Sequence, residues 1–98
     1  MTRTIEDIKE IKKKILPILR KNDVNRASLF GSVVRGEATE ESDIDLLVEF
    51  KGKKSLLDLA GLKIELEELM GKKVDVITYN SLHPLLKERI LREQKAIL

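Results

Sequence analysis

The chain has 98 residues, of which 42% are hydrophobic and 37% charged, with a formal net charge of +2. This length predicts one domain with a single core, spanning residues 1–98, and the hydrophobic fraction excludes a disordered chain. Basic and acidic residues are interspersed along the chain without a long basic run, and the aromatic residues are one tyrosine and two phenylalanines. This pattern argues against nucleic acid as a partner.

The composition also bears on the compartment. The chain has no cysteine, which excludes disulfides and thiolate metal sites. No hydrophobic run reaches the length of a membrane span, and the first residues are charged and amphipathic, unlike a signal peptide. We therefore expect a cytoplasmic protein without a membrane partner.

The amino-terminal segment has the periodicity of a helix. Isoleucine and leucine recur at helical spacing over residues 5–21, after a pattern in Thr4 and Asp7 that resembles a capping box. Pro17 lies inside this segment, and proline removes a backbone donor and crowds the preceding turn. We expect a kink near Pro17 or an early end of the helix.

The middle of the chain predicts two strands. Residues 27–30 form a short hydrophobic strand after a turn at residues 22–25, and a helical turn over residues 32–36 follows it. After a polar stretch, residues 44–50 alternate so that every even-numbered position is hydrophobic. Such alternation is typical of a strand with one buried face.

The remaining sequence predicts a helix, a strand and a last helix. Ser55 and Asp58 form a second capping-box pattern, and the helix that follows should end at Gly71. Its lysine and glutamate run, residues 63–68, is interpreted as a solvated face. Residues 73–78 form the third strand. Pro84 begins the last helix, after His83 at the helix start, and the inner face of that helix would carry Leu86, Ile90 and Ile97.

This element order predicts an α/β fold, in which a three-stranded mixed sheet is flanked by about four helices. Three features of the sequence then suggest chemistry. The first is Gly31-Ser32, where a strand ends and a helical turn begins, so that backbone N–H groups and a hydroxyl could meet a phosphate. A Gly-Ser pair alone is more often an ordinary turn.

The second feature is the pair Asp43 and Asp45. Residues two apart in a strand leave the same face with their Cα atoms roughly 6.5 Å apart. Two carboxylates at that spacing could bracket two Mg²⁺ ions, which prefer oxygen ligands. The alternative is that Asp43 caps a turn and Asp45 is merely exposed.

The third feature is Asp75 in the middle of the third strand. Its side chain would share a face with Asp43 and Asp45 if the two strands were neighbours, and otherwise it could simply face solvent. Three adjacent carboxylates repel by up to about 4 kcal/mol per close pair, and a cation or a proton must compensate for this.

Taken together, these residues resemble a known signature. Gly31-Ser32, ten intervening residues and Asp43-Ile44-Asp45 are similar to the motif of the DNA polymerase β-like nucleotidyltransferase superfamily. Arg35, Gly36 and Ser42 make the sequence resemble one family of that superfamily, the minimal nucleotidyltransferases. Members of this family are commonly encoded beside HEPN-domain toxins and act as their antitoxins. The resemblance covers essentially the whole chain and implies a polymerase β-like core.

The resemblance implies a role for each matching residue. Gly31 and Ser32 would hold the triphosphate of ATP, the usual donor of the family. Asp43 and Asp45 would bind two Mg²⁺ ions. Asp75 would complete the metal site and help to deprotonate an acceptor hydroxyl.

The role of Arg35 stays open at this point. The guanidinium could neutralise phosphate charge, or it could pair with acids of the following loop and hold that loop in place. The candidate partners are Glu37, Glu40 and Glu41.

The expected function is therefore Mg²⁺-dependent transfer of AMP from ATP to a hydroxyl, predicted to be a tyrosine, of a HEPN-domain toxin. We expect no second domain to hold a small acceptor, which favours a protein that docks in trans. Two alternatives remain: an antitoxin that acts by binding alone, and a small-molecule nucleotidyltransferase that completes its site as a homo-oligomer.

Overall fold

The computed structural model describes residues 8–36 and 42–98. The expected capping box of Thr4 and Asp7 lies outside these residues, as do Glu37, Glu40 and Glu41. In the described ranges the chain forms four α-helices, which are α1 (Ile8–Lys21), α2 (Ser32–Arg35), α3 (Leu56–Met70) and α4 (Pro84–Glu93). None of these helices is both long and hydrophobic enough to cross a membrane.

Helix α1 continues past Pro17 to Lys21, so the expected early end is wrong. Pro17 lies on the exposed side of the helix, where water can hydrate the carbonyl that loses its N–H partner. The opposite side carries Ile11, Ile15 and Leu19, all of which are buried. Because these residues are four apart, they form one continuous stripe against the sheet.

The sequence signals that predicted both ends of α3 and the start of α4 are confirmed. The Ser55 side chain accepts from the Asp58 N–H and the Asp58 carboxylate accepts from the Ser55 N–H, and α3 ends at Gly71 in the left-handed conformation. Pro84 begins α4, and His83 Nδ1 accepts from the Leu85 N–H at 3.1 Å. These signals are local in sequence, which is why they can be read without the fold.

The described residues form a mixed sheet of four strands in the order β3-β2-β1-β4. The strands are β1 (Val24–Phe30), β2 (Ile44–Phe50), β3 (Val74–Thr78) and β4 (Lys95–Ala96). Strand β1 is antiparallel to β2 and β4, whereas β2 and β3 are parallel. The expected mixed α/β architecture is correct, but the expected count of three strands is wrong.

Strand β4, which the sequence did not predict, also corrects the prediction for the last helix. Ile97 lies beyond α4, and its N–H donates to the Ala27 carbonyl at 2.9 Å, next to the β4–β1 pairing. Leu86, also expected on the inner face, is 49% exposed. A two-residue strand is too short to show an alternation of its own, so only pairing with β1 reveals it.

Strand β1 begins earlier than expected. It starts at Val24, so the predicted turn at residues 22–25 contracts to Asn22 and Asp23. Asp23 has a positive φ of 60°, which aspartate tolerates better than most residues. The pairing with β2 shifts register between Val24 and Arg26, and this irregularity obscures the strand alternation.

The sheet buries both of its faces. One face of β2 carries Ile44, Leu46 and Val48 into the main core, under α1 and α3, as its alternation predicts. On the other face Leu47 is fully buried with Phe30 and Leu82, and residues of α4 pack against them. This second cluster was not expected. It borders the part of the sheet where the acidic residues lie.

Candidate active site

Asp45 and Asp75 lie side by side on neighbouring strands. They are register partners in the parallel pairing of β2 with β3, and Phe30 is the partner of Asp45 on the other side. Register partners on adjacent strands project from the same face of a sheet. The expectation that the two acids would share a face is therefore confirmed.

Asp43 occupies a different position from the one expected. It lies in the irregular segment immediately before β2, not within the strand. The strand geometry that predicted its orientation therefore does not apply. Its charge is nevertheless close enough to Asp45 to raise the pKa of that carboxyl.

The electrostatics of Asp45 show that the acids are crowded. Its pKa is raised from 3.8 to about 6, first by burial and then by the charges of Asp75 and Asp43. A hydrogen bond with Asp75 raises the pKa further, whereas the charge of Arg35 lowers it. In the metal-free protein Asp45 therefore retains its proton more strongly than a free carboxylate does, because burial and neighbouring negative charge both disfavour its ionised form.

Gly31 lies directly against Asp45. Its φ of 79° and ψ of −151° fall in a region that is essentially restricted to glycine. A Cβ at this position would lie 2.2 Å from Asp45 Oδ2. The absence of a side chain therefore lets the β1–α2 turn approach the carboxylate. The sequence suggested a phosphate role for Gly31 and gave no sign of this steric one.

Ser32 is the first residue of α2, a helix of only four residues. The Gly31 carbonyl accepts from the N–H groups of Val34 and Arg35 at 3.1 and 3.2 Å. The earliest N–H groups of a helix have no partner within it, so those of Ser32 and Val33 are the candidates to meet a phosphate. The phosphate-binding roles of Gly31 and Ser32 stay predictions.

Arg35 connects the site to α4. Its Nη1 lies 3.2 Å from Glu93 Oε1, and Glu93 also accepts from Arg89 Nε at 3.3 Å. Glu93 is a partner that the sequence did not suggest. The proposed pairing with Glu37, Glu40 or Glu41 stays a prediction, because those residues lie outside the described ranges. Since the charge of Arg35 also lowers the pKa of Asp45, the guanidinium contributes positive potential to the acidic site.

Lys63 and Glu67 correct the interpretation of residues 63–68 as a solvated face. Lys63 Nζ lies 3.9 Å from Asp75 Oδ1 and donates to the Val74 carbonyl at 2.8 Å. Glu67 accepts from the Val74 N–H at 3.0 Å. The four-residue spacing of lysine and glutamate is common on exposed helices, so the sequence alone gave no signal that β3 packs here.

The residue types fit a magnesium site. Asp43, Asp45 and Asp75 offer the hard oxygen ligands that Mg²⁺ requires. Within residues 8–36 and 42–98, no group of three His, Cys, Asp or Glu side chains is already arranged to hold a metal ion. Magnesium is usually held by one or two carboxylates with substrate phosphates and water, so a Mg²⁺ ion on the Asp45–Asp75 pair would need a nucleotide to complete its coordination.

A cavity of about 500 Å³ lies elsewhere on the sheet. It is lined by Phe50, Lys53, Thr78 and their neighbours, at the ends of β2 and β3 opposite to the acids. None of the three aspartates lines it. The cavity is therefore not the candidate active site.

Comparison with known proteins decides the family. The profile of the family described as Polymerase beta, Nucleotidyltransferase matches residues 13–98. The chain belongs to this family. It is 64% identical over 92 residues to the candidate protein adenylyltransferase MJ0435 of Methanocaldococcus jannaschii, an alignment that covers 94% of this chain and 99% of that protein.

Two further relatives extend the comparison. Protein adenylyltransferase MntA of Thermococcus cleftensis is 41% identical over 91 residues, with 92% of each chain covered. A crystal structure of a toxin–antitoxin with AMP-PNP superposes with a TM-score of 0.78 at 25% identity, over 89% of this chain and 72% of that one. The chain is thus a nucleotidyltransferase, and its resemblance to minimal nucleotidyltransferases of toxin–antitoxin pairs is confirmed.

Replacing Gly31 with alanine should disrupt this site. We expect Gly31→Ala to destabilise the fold by about 1–3 kcal/mol, because alanine strains the backbone, and to displace Asp45. Gly36→Ala is the control: Gly36 also has a positive φ, of 73°, but a Cβ there meets nothing within 4 Å. Only Gly31→Ala should lose the stabilisation by Mg²⁺ and nucleotide in thermal melts. If both variants keep this stabilisation equally, the close approach of Gly31 to Asp45 does not matter for the site, and our interpretation is contradicted.

Proposed function

We propose that this nucleotidyltransferase transfers AMP from ATP to a tyrosine hydroxyl of a HEPN-domain toxin, in a Mg²⁺-dependent reaction, and thereby acts as an antitoxin. The observation that carries the proposal is the Asp45–Asp75 pair, packed against Gly31 in a chain of the nucleotidyltransferase family. Relatives named protein adenylyltransferase and a related toxin–antitoxin structure with AMP-PNP support the donor and the partner.

Each acidic residue has a defined task in this proposal. Asp43, Asp45 and Asp75 would hold magnesium, which supplies positive charge to the phosphates and to the leaving pyrophosphate. Asp75 would also accept the proton of the tyrosine hydroxyl, whose pKa is about 10 in free solution. The hydroxyl oxygen then bonds to the α-phosphorus as the bond to the β-phosphate oxygen breaks.

The remaining site residues would place the triphosphate. Ser32 and the N–H groups at the start of α2 would bind phosphate oxygens, and Gly31 keeps the turn close to Asp45. Arg35 would add positive charge near the phosphates while its ion pair with Glu93 fixes the position of α4. The charge near the phosphates is one of the two roles that the sequence left open for Arg35, and the pairing with acids of the following loop stays untested.

Binding without catalysis is the main alternative. An antitoxin that merely covers its partner has no use for adjacent carboxylates. The raised pKa of Asp45 shows that burial and neighbouring charges disfavour its ionised form. Retention of that unfavourable arrangement supports a catalytic role.

A homo-oligomeric enzyme acting on a small molecule would use the same acids and differs only in its acceptor.

The isolated chain provides a direct test of the metal–nucleotide site. We expect Mg²⁺ together with a nonhydrolysable ATP analogue to raise the melting temperature, because both ligands bind the native site and relieve repulsion among the acids. At a ligand concentration one hundred times the dissociation constant, the stabilisation is about 2.7 kcal/mol. The analogue without Mg²⁺ is the control. No shift with both ligands at saturation would count against the site.

A further inference from the structure

Strand β3 lies at the edge of the four-stranded sheet and is held there by two side chains of α3. Immediately before this strand and on the side facing β2, the Lys73 carbonyl accepts from the Ile44 N–H of β2 at 3.0 Å. Both polar backbone groups of Val74 instead bond to α3. Its N–H donates to Glu67 Oε2 at 3.0 Å, and its carbonyl accepts from Lys63 Nζ at 2.8 Å.

These two side chains also bond to each other. Lys63 Nζ lies 3.1 Å from Glu67 Oε2, one helical turn away, and the two side chains are 37% and 31% exposed. The contacts form a closed ring through Lys63, Glu67 and the backbone of Val74, which we name the α3 clasp. Val74 is itself 1% exposed, so the clasp and the core together fix this residue.

The α3 clasp is adjacent to the acidic pair. Val74 is followed directly by Asp75, and Lys63 Nζ is 3.9 Å from Asp75 Oδ1. The same ammonium group therefore bonds to the backbone beside the acid and lies close to its carboxylate. An edge strand without such contacts has one side of its backbone unpaired, and its end can move away from the neighbouring strand.

We propose that Lys63 and Glu67 are positioning residues that hold the Asp75 carboxylate beside Asp45 for metal binding and proton transfer. This inference rests on the proposed function. Small displacements of reacting groups are costly in catalysis, and groups that orient metal ligands typically change metal affinity or activity by about 10–100-fold when removed. Neither side chain needs to touch the substrate.

The same helix offers a matched control. Glu65 accepts from Lys21 Nζ at 2.6 Å and from Asn22 Nδ2 at 3.1 Å, so it also makes two hydrogen bonds. Those bonds join α3 to the end of α1 and do not involve β3. Glu67→Ala and Glu65→Ala therefore each remove two hydrogen bonds of α3, but only Glu67→Ala opens the α3 clasp.

The test compares full-length Lys63→Met, Lys63→Arg, Glu67→Ala and Glu65→Ala with the wild type. Metal affinity is measured by titrating Mn²⁺ into each protein with a nonhydrolysable ATP analogue, and hydrogen exchange of the Val74 amide is followed by NMR. We expect Lys63→Met and Glu67→Ala to weaken Mn²⁺ binding by about 10–100-fold. Glu67→Ala should also accelerate Val74 exchange, whereas Glu65→Ala should resemble the wild type in both measurements.

Transfer kinetics add a second readout. Lys63→Met should lower kcat by about tenfold or more with little change in the KM for ATP, and Lys63→Arg should recover part of the loss. The inference is overturned if Lys63→Met and Glu67→Ala bind Mn²⁺ and transfer AMP as well as Glu65→Ala. If Glu67→Ala does not fold, Lys63→Met and its rescue by arginine decide the question. A wild type that neither binds Mn²⁺ nor transfers AMP would instead refute the proposed function.

Discussion

Replacing Asp45 with asparagine is expected to reduce AMP transfer by at least about a hundredfold, the effect typical of removing one group that stabilises transition-state charge. Asparagine preserves the size of the side chain but removes the charge that a cation would bind. Asp45 is central in the site because it faces Asp75 on one strand and Phe30 on the other, and contacts Gly31. Initial rates with saturating ATP and partner measure the loss.

The same substitution should not weaken the metal-free fold near neutral pH. The pKa of Asp45 is raised from 3.8 to about 6, so the folded state binds this proton more tightly than the unfolded state. The resulting stabilisation is fully present below the ordinary pKa and is lost as the pH rises through about 6. Above that pH the ionised Asp45 is unfavourable, and Asp45→Asn removes the unfavourable charge.

Denaturant unfolding at several pH values measures this effect. At pH 8 without metal, Asp45→Asn should be equally stable or up to roughly 1 kcal/mol more stable, a figure kept small because the side chain is partly exposed to screening solvent. The advantage should shrink toward pH 4. Asp58→Asn is a control of opposite sign, since a backbone hydrogen bond from Ser55 lowers the pKa of Asp58. If Asp45→Asn unfolds well before the wild type at pH 8, Asp45 is a structural residue.

The parts of the fold that the sequence predicts are those specified by local interactions. The alternation in residues 44–50 predicts the buried face of β2, and Ser55 with Asp58 predicts the start of α3. Strand β4 could not be predicted in this way. Its two residues are extended because they pair with β1. The partners Ser28 and Ala96 are about 68 positions apart in the sequence, so no local pattern reveals the pairing.

The candidate site was likewise predictable only in part from the sequence. Asp45 and Asp75 could be proposed as neighbours because a third acid in a short hydrophobic strand needs an explanation, and the parallel register confirms that they are adjacent. Lys63 and Glu67 could not be identified, because a lysine and a glutamate one turn apart are ordinary on a solvated helix. Only the packing of α3 along the edge strand brings them to Val74 and Asp75.

The phosphate that moves distinguishes nucleotidyl transfer from kinase activity. In the proposed reaction the acceptor hydroxyl attacks the α-phosphorus, so AMP becomes attached to the partner and pyrophosphate leaves. A kinase would instead transfer the γ-phosphoryl group and release ADP. The two reactions therefore place different phosphorus atoms on the acceptor from the same ATP.

The most direct measurement uses ATP labelled either in the α-phosphate or in the γ-phosphate, with Mg²⁺, this protein and a HEPN-domain toxin as the candidate acceptor. Our account predicts that α-label becomes covalently attached to a tyrosine of the toxin, that γ-label leaves as pyrophosphate, and that Asp45→Asn abolishes the α-labelling. Attachment of γ-label would show a kinase and contradict the account. A tight complex in which neither label is transferred would show an antitoxin that acts by binding alone.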